Sequence, residues 1–321
     1  MRIIALACIV TFGLWGCSKQ ERLPDDSPNY TLPNKNLIEL KGGLLASRYS
    51  SLDDLKKDVH IEYFNPSDTS SPGTSKVQLK HSCNGKQVMS ILKAGISQDD
   101  ITAARDGGYA GQIALLFKTP YGIANRKKLE KIYSMARWWP KLFGEGDVAF
   151  YNLAKASVEH IIYTDLAFTN TKDTLDKGYI NTFNHITAQA LITACFNEEL
   201  ADYLADLHEL HNMKELTHGH FTQDQLTDPN TNPVDNYIDM INNEWGQELG
   251  KALKQKYGLS EHTQWTKPLL TDVLNDIQAF YSHSFGIGFE PFRSSDLLVV
   301  RFTHKLNCIL NDEEIDMSYL Y

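Results

Sequence analysis

Three things are scarce in this sequence: cysteine, positive charge and long hydrophobic runs. Its 321 residues include 31 lysines and arginines against 40 aspartates and glutamates, which gives a net charge of −9. This acidic balance argues against nucleic acid as a partner, because phosphates attract clustered basic residues. After the first 17 residues, no stretch is apolar enough to cross a bilayer. Hydrophobic residues nevertheless make up 42% of the chain, enough to bury a core.

Cysteine is too rare to build a disulfide framework. Beyond residue 17 the chain has only Cys83, Cys195 and Cys308, so at least one of the three has no disulfide partner. Cys195 falls in an apolar segment, and we expect it to be a packed thiol. Cys83 and Cys308 could pair in an oxidising compartment, and the sequence leaves that pairing open.

The first 17 residues predict a lipoprotein signal peptide. Arg2 precedes an apolar run over residues 3–14 that is too short to span a membrane as a helix. The run leads into the letters LWGC, ending at Cys17, which resemble the bacterial lipobox, whose cysteine is diacylated. A plain signal peptide cut elsewhere is the alternative. We therefore expect a chain held on a lipid bilayer of the bacterial cell envelope through acylated Cys17, and Ser18 favours the outer over the inner membrane.

Composition divides the rest of the chain into three parts. Residues 18–36 are polar with spaced prolines, which predicts a flexible tether. Residues 37–76 are expected to form an N-terminal lobe that ends in a Pro-, Ser- and Thr-rich loop at 66–76. Residues 77–321 are expected to form the main domain. The predicted fold class is mainly α with a few short strands (α+β at the ends), built on a helical core domain.

Hydrophobic periodicity and turn residues place the individual elements. We expect helices near Ser51 and at 86–94, 98–105, 125–138, 147–163 and 267–281, and strands at 59–64, 77–80 and 297–303. The helix over 125–138 is rich in basic residues and is followed by Trp138 and Trp139. Basic and aromatic residues side by side can dock on a membrane surface, or they can form a solvated helix face with a core anchor.

The segment over residues 178–250 concentrates the polar residues that carry chemistry. Its first helix, predicted at 184–196, has no charged residue and is apolar nearly all round, which indicates burial. His185 and Gln189 are four residues apart and share one face of it. Buried polar groups need partners. His185 is therefore either a satisfied core histidine or a metal ligand or general acid/base.

The second helix of this segment is predicted at 198–211 and carries Asp206, His208 and Glu209. Its leucines form a buried stripe, with Asp206 and Glu209 on the other side and His208 at the flank. The three residues therefore do not share one narrow face. A flanking His208 that is oriented by a carboxylate from another helix fits this arrangement.

The third helix of the segment begins near Pro233 and carries Asp239, Asn242, Asn243 and Gly246 at positions i, i+3, i+4 and i+7. This spacing aligns a carboxylate, two amides and a gap along one face. Glycine costs about 1 kcal/mol in a helix interior, so it often marks the close approach of another backbone or of a ligand. A solvated polar face is the alternative interpretation.

These three marks resemble an uncharacterised bacterial domain family with the motifs FRHAxWxA, DAHE and DLHNNxxGR. Here residues 183–190 read FNHITAQA, residues 206–209 read DLHE and residues 239–247 read DMINNEWGQ. Asn184 and Gln247 replace the family's arginines, and Ile241 replaces the histidine of the third motif. The family is assigned no activity that carries over, and the missing histidine and two arginines leave open an altered or inactive site.

Two functions follow as hypotheses. In the first, the chain is a metal-assisted hydrolase that acts on a peptidoglycan, lipid or phosphoester substrate, and His185, His208 and Asp239 bind a divalent metal. In the second, it is a non-catalytic lipoprotein whose polar cluster is a buried packing network. The candidate catalytic residues are His185 as base or ligand, Asp206, His208, Glu209 and Asp239 as ligands or orienting groups, and Asn242 and Asn243 as donors to a substrate oxygen.

Overall fold

A computed structural model describes residues 40–64, 75–106, 118–162, 167–227 and 233–311. The predicted signal peptide, Cys17 and the tether over 18–36 lie outside the described residues. The fold is mainly helical with two small antiparallel sheets, as the sequence predicts. No helix within the described ranges has the combination of length and hydropathy that crossing a bilayer demands.

The strands are β1 (Val59–Phe64), β2 (Lys76–Cys83), β3 (Lys86–Lys93), β4 (Ile161–Ile162) and β5 (Gly288–Phe289). The helices are α1 (Leu52–Leu55), α2 (Gln98–Asp106), α3 (Pro120–Ala124), α4 (Arg126–Ala136), α5 (Pro140–Phe143), α6 (Phe150–Glu159), α7 (Asn181–Cys195), α8 (Glu198–Glu209), α9 (Lys214–His218), α10 (Gln223–Thr227), α11 (Pro233–Tyr257), α12 (Lys267–Phe285) and α13 (Leu297–Leu310).

Strands β1, β2 and β3 form one antiparallel meander. The prediction of a helix at 86–94 is wrong, because these residues form β3. The turn at Asn84 and Gly85, both with positive φ, reverses the chain into a hairpin and places alternate side chains of β3 against the core. The expected boundary at 66–76 falls between β1 and β2, so the N-terminal lobe shares its sheet with the chain that follows.

The prediction of a strand at 297–303 is also wrong, because these residues begin α13. The run Leu-Leu-Val-Val is compatible with either element, but Val299, Phe302 and Leu306 recur at helical spacing and are fully buried. Tertiary burial of this stripe decides the structure. Within the buried face, the Lys305 ammonium donates to Asp147 and to the carbonyls of Arg137 and Val148.

No disulfide joins Cys83 to Cys308, so the pairing that the sequence left open is not formed. The Cys308 sulfur lies 3.5 Å from Nε2 of His304, one turn earlier on α13. Cys195 is a packed thiol at the end of α7, as predicted, and burial raises its pKa to about 12.

Helix α7 is the centre of the molecule. Thirteen of its fifteen residues are buried, and it packs against α6, α8 and α11. Its crossing with α11 is so close that a Cβ atom at Gly246 would lie 2.8 Å from the Ile186 carbonyl oxygen. At Gly250 it would lie 2.5 Å from the Ala190 carbonyl oxygen. The gap predicted at Gly246 is therefore filled by the backbone of α7.

Gly246→Ala should destabilise the fold, because the new methyl group meets backbone that cannot yield without separating α7 from α11. We expect the free energy of unfolding to fall by about 1–3 kcal/mol, measured by urea unfolding. Gly95→Ala is the control, since its Cβ would meet only the Lys93 carbonyl oxygen at 3.6 Å, an ordinary contact. Equal stability of the Gly246 and Gly95 variants would contradict the close crossing.

Candidate metal centre and its pocket

Three helices deliver polar side chains to one buried place. His185 comes from the N-terminal half of α7, His208 and Glu209 from the last turn of α8, and Asp239 and Asn243 from α11. The tight crossing of α7 and α11 brings the first and third of these helices together. Because α11 also packs on α8, it covers the side of α8 that carries Glu209. Glu209 is therefore buried. The sequence places it opposite the buried leucine stripe of α8, but that side of α8 is covered as well.

The imidazole of His185 lies between two carboxyl groups. Its Nδ1 is 3.8 Å from Oε1 of Glu209, and its Nε2 is 3.5 Å from Oδ2 of Asp239. The ring of His208 lies 5.7 Å away, centroid to centroid. His185, His208 and Glu209 each offer one ligand atom, and these three atoms all lie within 4.8 Å of one another. This group has the size and the donor types of a metal site.

Side-chain amides hold the carboxylates in position. The Asn243 carbonyl oxygen accepts a hydrogen bond from Nδ1 of His185 at 3.0 Å, and its amide donates to Glu209 at 3.2 Å. The amide of Asn181 lies 3.0 Å from both carboxylate oxygens of Asp239. Asn243 thus bridges the histidine and the glutamate, while Asn181 fixes the carboxylate on the far side of the imidazole.

Burial sets the charge state of the cluster. It raises the pKa of Glu209 well above its usual range, and Asp239 adds to that shift by repulsion. Burial raises the pKa of Asp239 to about 7, against the opposing effect of His185. Burial, with the positive potential of His185, His211 and Arg137, lowers the pKa of His208 to about 3. His208 is therefore neutral near pH 7, the form in which histidine binds metals.

A pocket with an empty volume of about 590 Å³, open solvent at its mouth included, opens on this cluster. Its walls are mostly apolar and come from α4, α6, α7 and α8. The remaining polar lining includes Gln189 and Asn184. The buried side-chain carbonyl oxygen of Asn184 has no hydrogen-bond partner among the described residues. An apolar pocket with a few convergent polar groups is the usual form of a small-molecule site. The apolar lining residues are Ile132, Tyr133, Ala136, Phe150, Ala188, Ile192, Leu204 and Ala205.

Two of the predicted site residues lie elsewhere. Asp206 lines a different pocket with Tyr121 and Tyr203, because it points about 200° around α8 from His208. Asn242 is fully buried. Its side-chain oxygen accepts a hydrogen bond from the Leu44 backbone N–H at 2.8 Å, and its side-chain N–H donates to the Leu44 carbonyl at 2.9 Å. It therefore pins the N-terminal segment to α11 and is not placed to donate to a substrate oxygen.

Two other predicted site residues lie in the cluster, Asn243 at Nδ1 of the His185 ring and Asp239 at its Nε2. Asn243 is at the site, where one of the two N–H groups of its amide donates to Glu209, and its predicted role as donor to a substrate oxygen stays a prediction. Asp239 faces the opposite edge of the His185 ring from Glu209, so the metal-ligand group contains Glu209 in its place. Asp239 then orients His185, a role that the sequence analysis also allowed.

Sequence reasoning missed several polar residues of this region. Asn181 lies before the predicted start of α7. Nothing in the sequence except its residue type indicated that it would contact Asp239. The positions at which the chain departs from the three motifs it resembles were better signals. Asn184 lines the pocket, and Gln247 donates to Gln189 at 3.2 Å beside it.

The histidines of the segment over 212–232 do not join the cluster. His218 and His220 are exposed and lie 6.1 Å apart, centroid to centroid. Helices α9 and α10 occupy much of this segment, and residues 228–232 lie outside the described residues.

Comparison with family models, with curated proteins and with solved structures finds no match for this chain. The resemblance to the three-motif family therefore stays a prediction.

Asp206→Asn should stabilise the protein increasingly as the pH rises. Burial and the nearby Asp202 raise the Asp206 pKa from 3.8 to about 8, against the attraction of Lys93. The unfolded chain loses this proton near pH 4 while the folded chain retains it, so stability falls between about pH 4 and pH 8. The asparagine variant avoids that loss, which is about 1.4 kcal/mol for each unit of pKa difference.

Urea unfolding of both proteins at several pH values in this range measures the difference. Metal binding at the His185 cluster should be the same in both, because Asp206 lies in the other pocket. An identical pH dependence, or a loss of metal binding in the variant, would contradict this placement of Asp206.

Proposed function

We propose that His185, His208 and Glu209 bind a divalent transition-metal ion and that the protein is a metal-assisted hydrolase. The single observation that supports this is the convergence of three ligand atoms at the polar end of an otherwise apolar pocket. Two histidines and a glutamate, with a further position left for water or substrate, form a known type of catalytic zinc site.

The ligand roles follow from which atoms face the centre. Nδ1 of His185 lies on the Glu209 side and would bind the ion, while Nε2 faces Asp239. Asp239 would accept the Nε2 proton and hold the ring, as a carboxylate commonly does behind a metal-bound histidine. Ligand atoms around zinc lie about 3.4 Å apart, so small rotations of the three side chains would complete the site.

The surroundings of the cluster support hydrolysis of a substrate with an apolar part. A bound metal ion lowers the pKa of a water ligand and polarises a carbonyl or phosphoryl oxygen. The apolar walls would hold an acyl or aryl group and exclude bulk water. The Asn184 carbonyl oxygen, buried at the pocket wall, would accept a hydrogen bond from an N–H or O–H group of the substrate.

A second candidate function is supported by the hydrogen bonds of Asn243. Its carbonyl oxygen accepts from the same Nδ1 atom that a metal would need, and its amide holds Glu209. In this candidate the cluster is a packing network that fixes three helices, and the protein is a non-catalytic lipoprotein. Metal binding separates the two candidates, because the ion must replace the bond between His185 and Asn243.

The N-terminal sequence supports the same cellular location for either function. A short apolar run that ends in LWGC favours a chain anchored in the bacterial cell envelope through acylated Cys17. In that position the pocket would meet substrates of the envelope and the periplasm.

The purified chain should bind about one equivalent of zinc, measured by isothermal titration and elemental analysis. His185→Ala should abolish this binding. Glu209→Gln retains an oxygen that can accept from Asn243, and it should weaken binding by at least about 100-fold because the charged ligand is lost. His262→Ala, which removes an exposed histidine, should bind zinc normally.

The fold of each variant is checked by circular dichroism and thermal unfolding. Zinc binding that survives in both His185→Ala and Glu209→Gln would place the metal elsewhere. Absence of binding by the parent chain, together with unfolding of His185→Ala, would instead favour the packing network.

Zinc-loaded protein should hydrolyse p-nitrophenyl esters, faster for medium acyl chains than for acetate, because the longer chain fills the apolar pocket. Glu209→Gln should lose this activity, and His262→Ala should keep it. Release of p-nitrophenol measures the rate. Equal rates for Glu209→Gln and the parent chain would show that the hydrolysis does not come from this site.

A further inference from the structure

A surface patch formed by the end of α4, the turn after it and α5 exposes large apolar side chains. Trp138 is 49% exposed and Leu142 is 48% exposed, although a protein of this size buries most such residues. The neighbouring Phe143 is buried, and Trp139 packs edge-on against Tyr133. The exposed tryptophan and leucine thus project from a segment that is itself fixed to the core.

Most of the charged residues in and around the same segment are basic. Residues 126–142 contain six basic residues and one acidic residue, in a chain whose net charge is −9. Lys128 pairs with Glu261, and Lys131 donates to the Leu310 carbonyl, so these two are used within the fold. Arg126, Lys127 and Lys141 are exposed.

We propose that the patch formed by Trp138, Lys141 and Leu142, with Arg126 and Lys127 at the other end of α4, docks on the surface of an anionic phospholipid bilayer. Exposed lysine and arginine attract anionic headgroups, and tryptophan and leucine enter the boundary between headgroups and acyl chains. The pattern fits nucleic acid less well, because a phosphate backbone offers no acyl region for the exposed Leu142 side chain to enter.

Docking would hold the segment that forms one wall of the pocket at the lipid surface. Ile132, Tyr133 and Ala136 of α4 line the pocket, and Trp138 follows only two residues after Ala136. Arg137 lies between them, near enough to His208 to lower the pKa of that imidazole. The docking surface and the pocket wall are therefore successive parts of one segment. This proposal does not depend on the metal centre.

Vesicle binding tests the patch directly. The full chain carries Cys17→Ser in every sample, so that acylation does not anchor it and all samples share the same N-terminal residues. Co-sedimentation is measured with vesicles of equal parts phosphatidylglycerol and phosphatidylcholine, and with vesicles of phosphatidylcholine alone. We expect stronger binding to the anionic vesicles. Trp138→Ala/Leu142→Ala should reduce that binding roughly tenfold, and Lys141→Glu several-fold.

Matched controls change equally exposed residues elsewhere on the surface. Leu175→Ala/Leu226→Ala removes two leucines that are 58% and 62% exposed, and Lys172→Glu reverses an exposed charge. These controls should bind as the parent does. Binding of the patch variants that equals that of their controls, or a preference for neutral vesicles, would overturn the proposal. Because all these residues are exposed, thermal unfolding should be the same in every sample.

Discussion

The close approach of α7 and α11 is the constraint on which the site depends. Gly246 and Gly250 present no side chain, so the two backbones meet at Ile186 and Ala190. His185 lies beside this contact on one helix, and Asn243 lies one turn before Gly246 on the other. Their 3.0 Å hydrogen bond follows from that proximity. A wider crossing would separate the imidazole from the groups on α11 and leave buried polar atoms without partners, which is costly.

Two buried charged regions of this protein differ in how their groups are satisfied. The Lys305 ammonium has three acceptors for its three protons, although burial still lowers its pKa to about 8. Around His185, burial raises the pKa values of two carboxyl groups, and in addition a buried amide oxygen of Asn184 has no partner within the described part of the chain. Such incomplete compensation is characteristic of functional sites, because a ligand can complete it. This contrast favours a bound cation over a purely structural role.

Much of the fold and part of the site could be predicted from the sequence. The charge-free run around His185 indicated a buried helix, and Gly246 indicated a close approach, since both signals are local. Residues 86–94 and 297–303 were assigned to the wrong element because short apolar runs fit both periods until tertiary burial decides. The separation of Asp206 from Glu209, and the exchange of Asp239 for Glu209 among the ligand atoms, depend on how α11 covers α8. Helical spacing within one segment contains no information about that packing.

The most direct test of the account is a crystal structure of the chain with zinc, with anomalous diffraction recorded on both sides of the zinc absorption edge. We predict one strong internal peak for a zinc ion that is coordinated by Nδ1 of His185, a ring nitrogen of His208 and a carboxylate oxygen of Glu209, each about 2.0–2.2 Å away. We also predict that the Asn243 carbonyl oxygen has left Nδ1 of His185. An internal peak at other residues, or an intact bond between His185 and Asn243 with zinc only on the surface, would contradict the account.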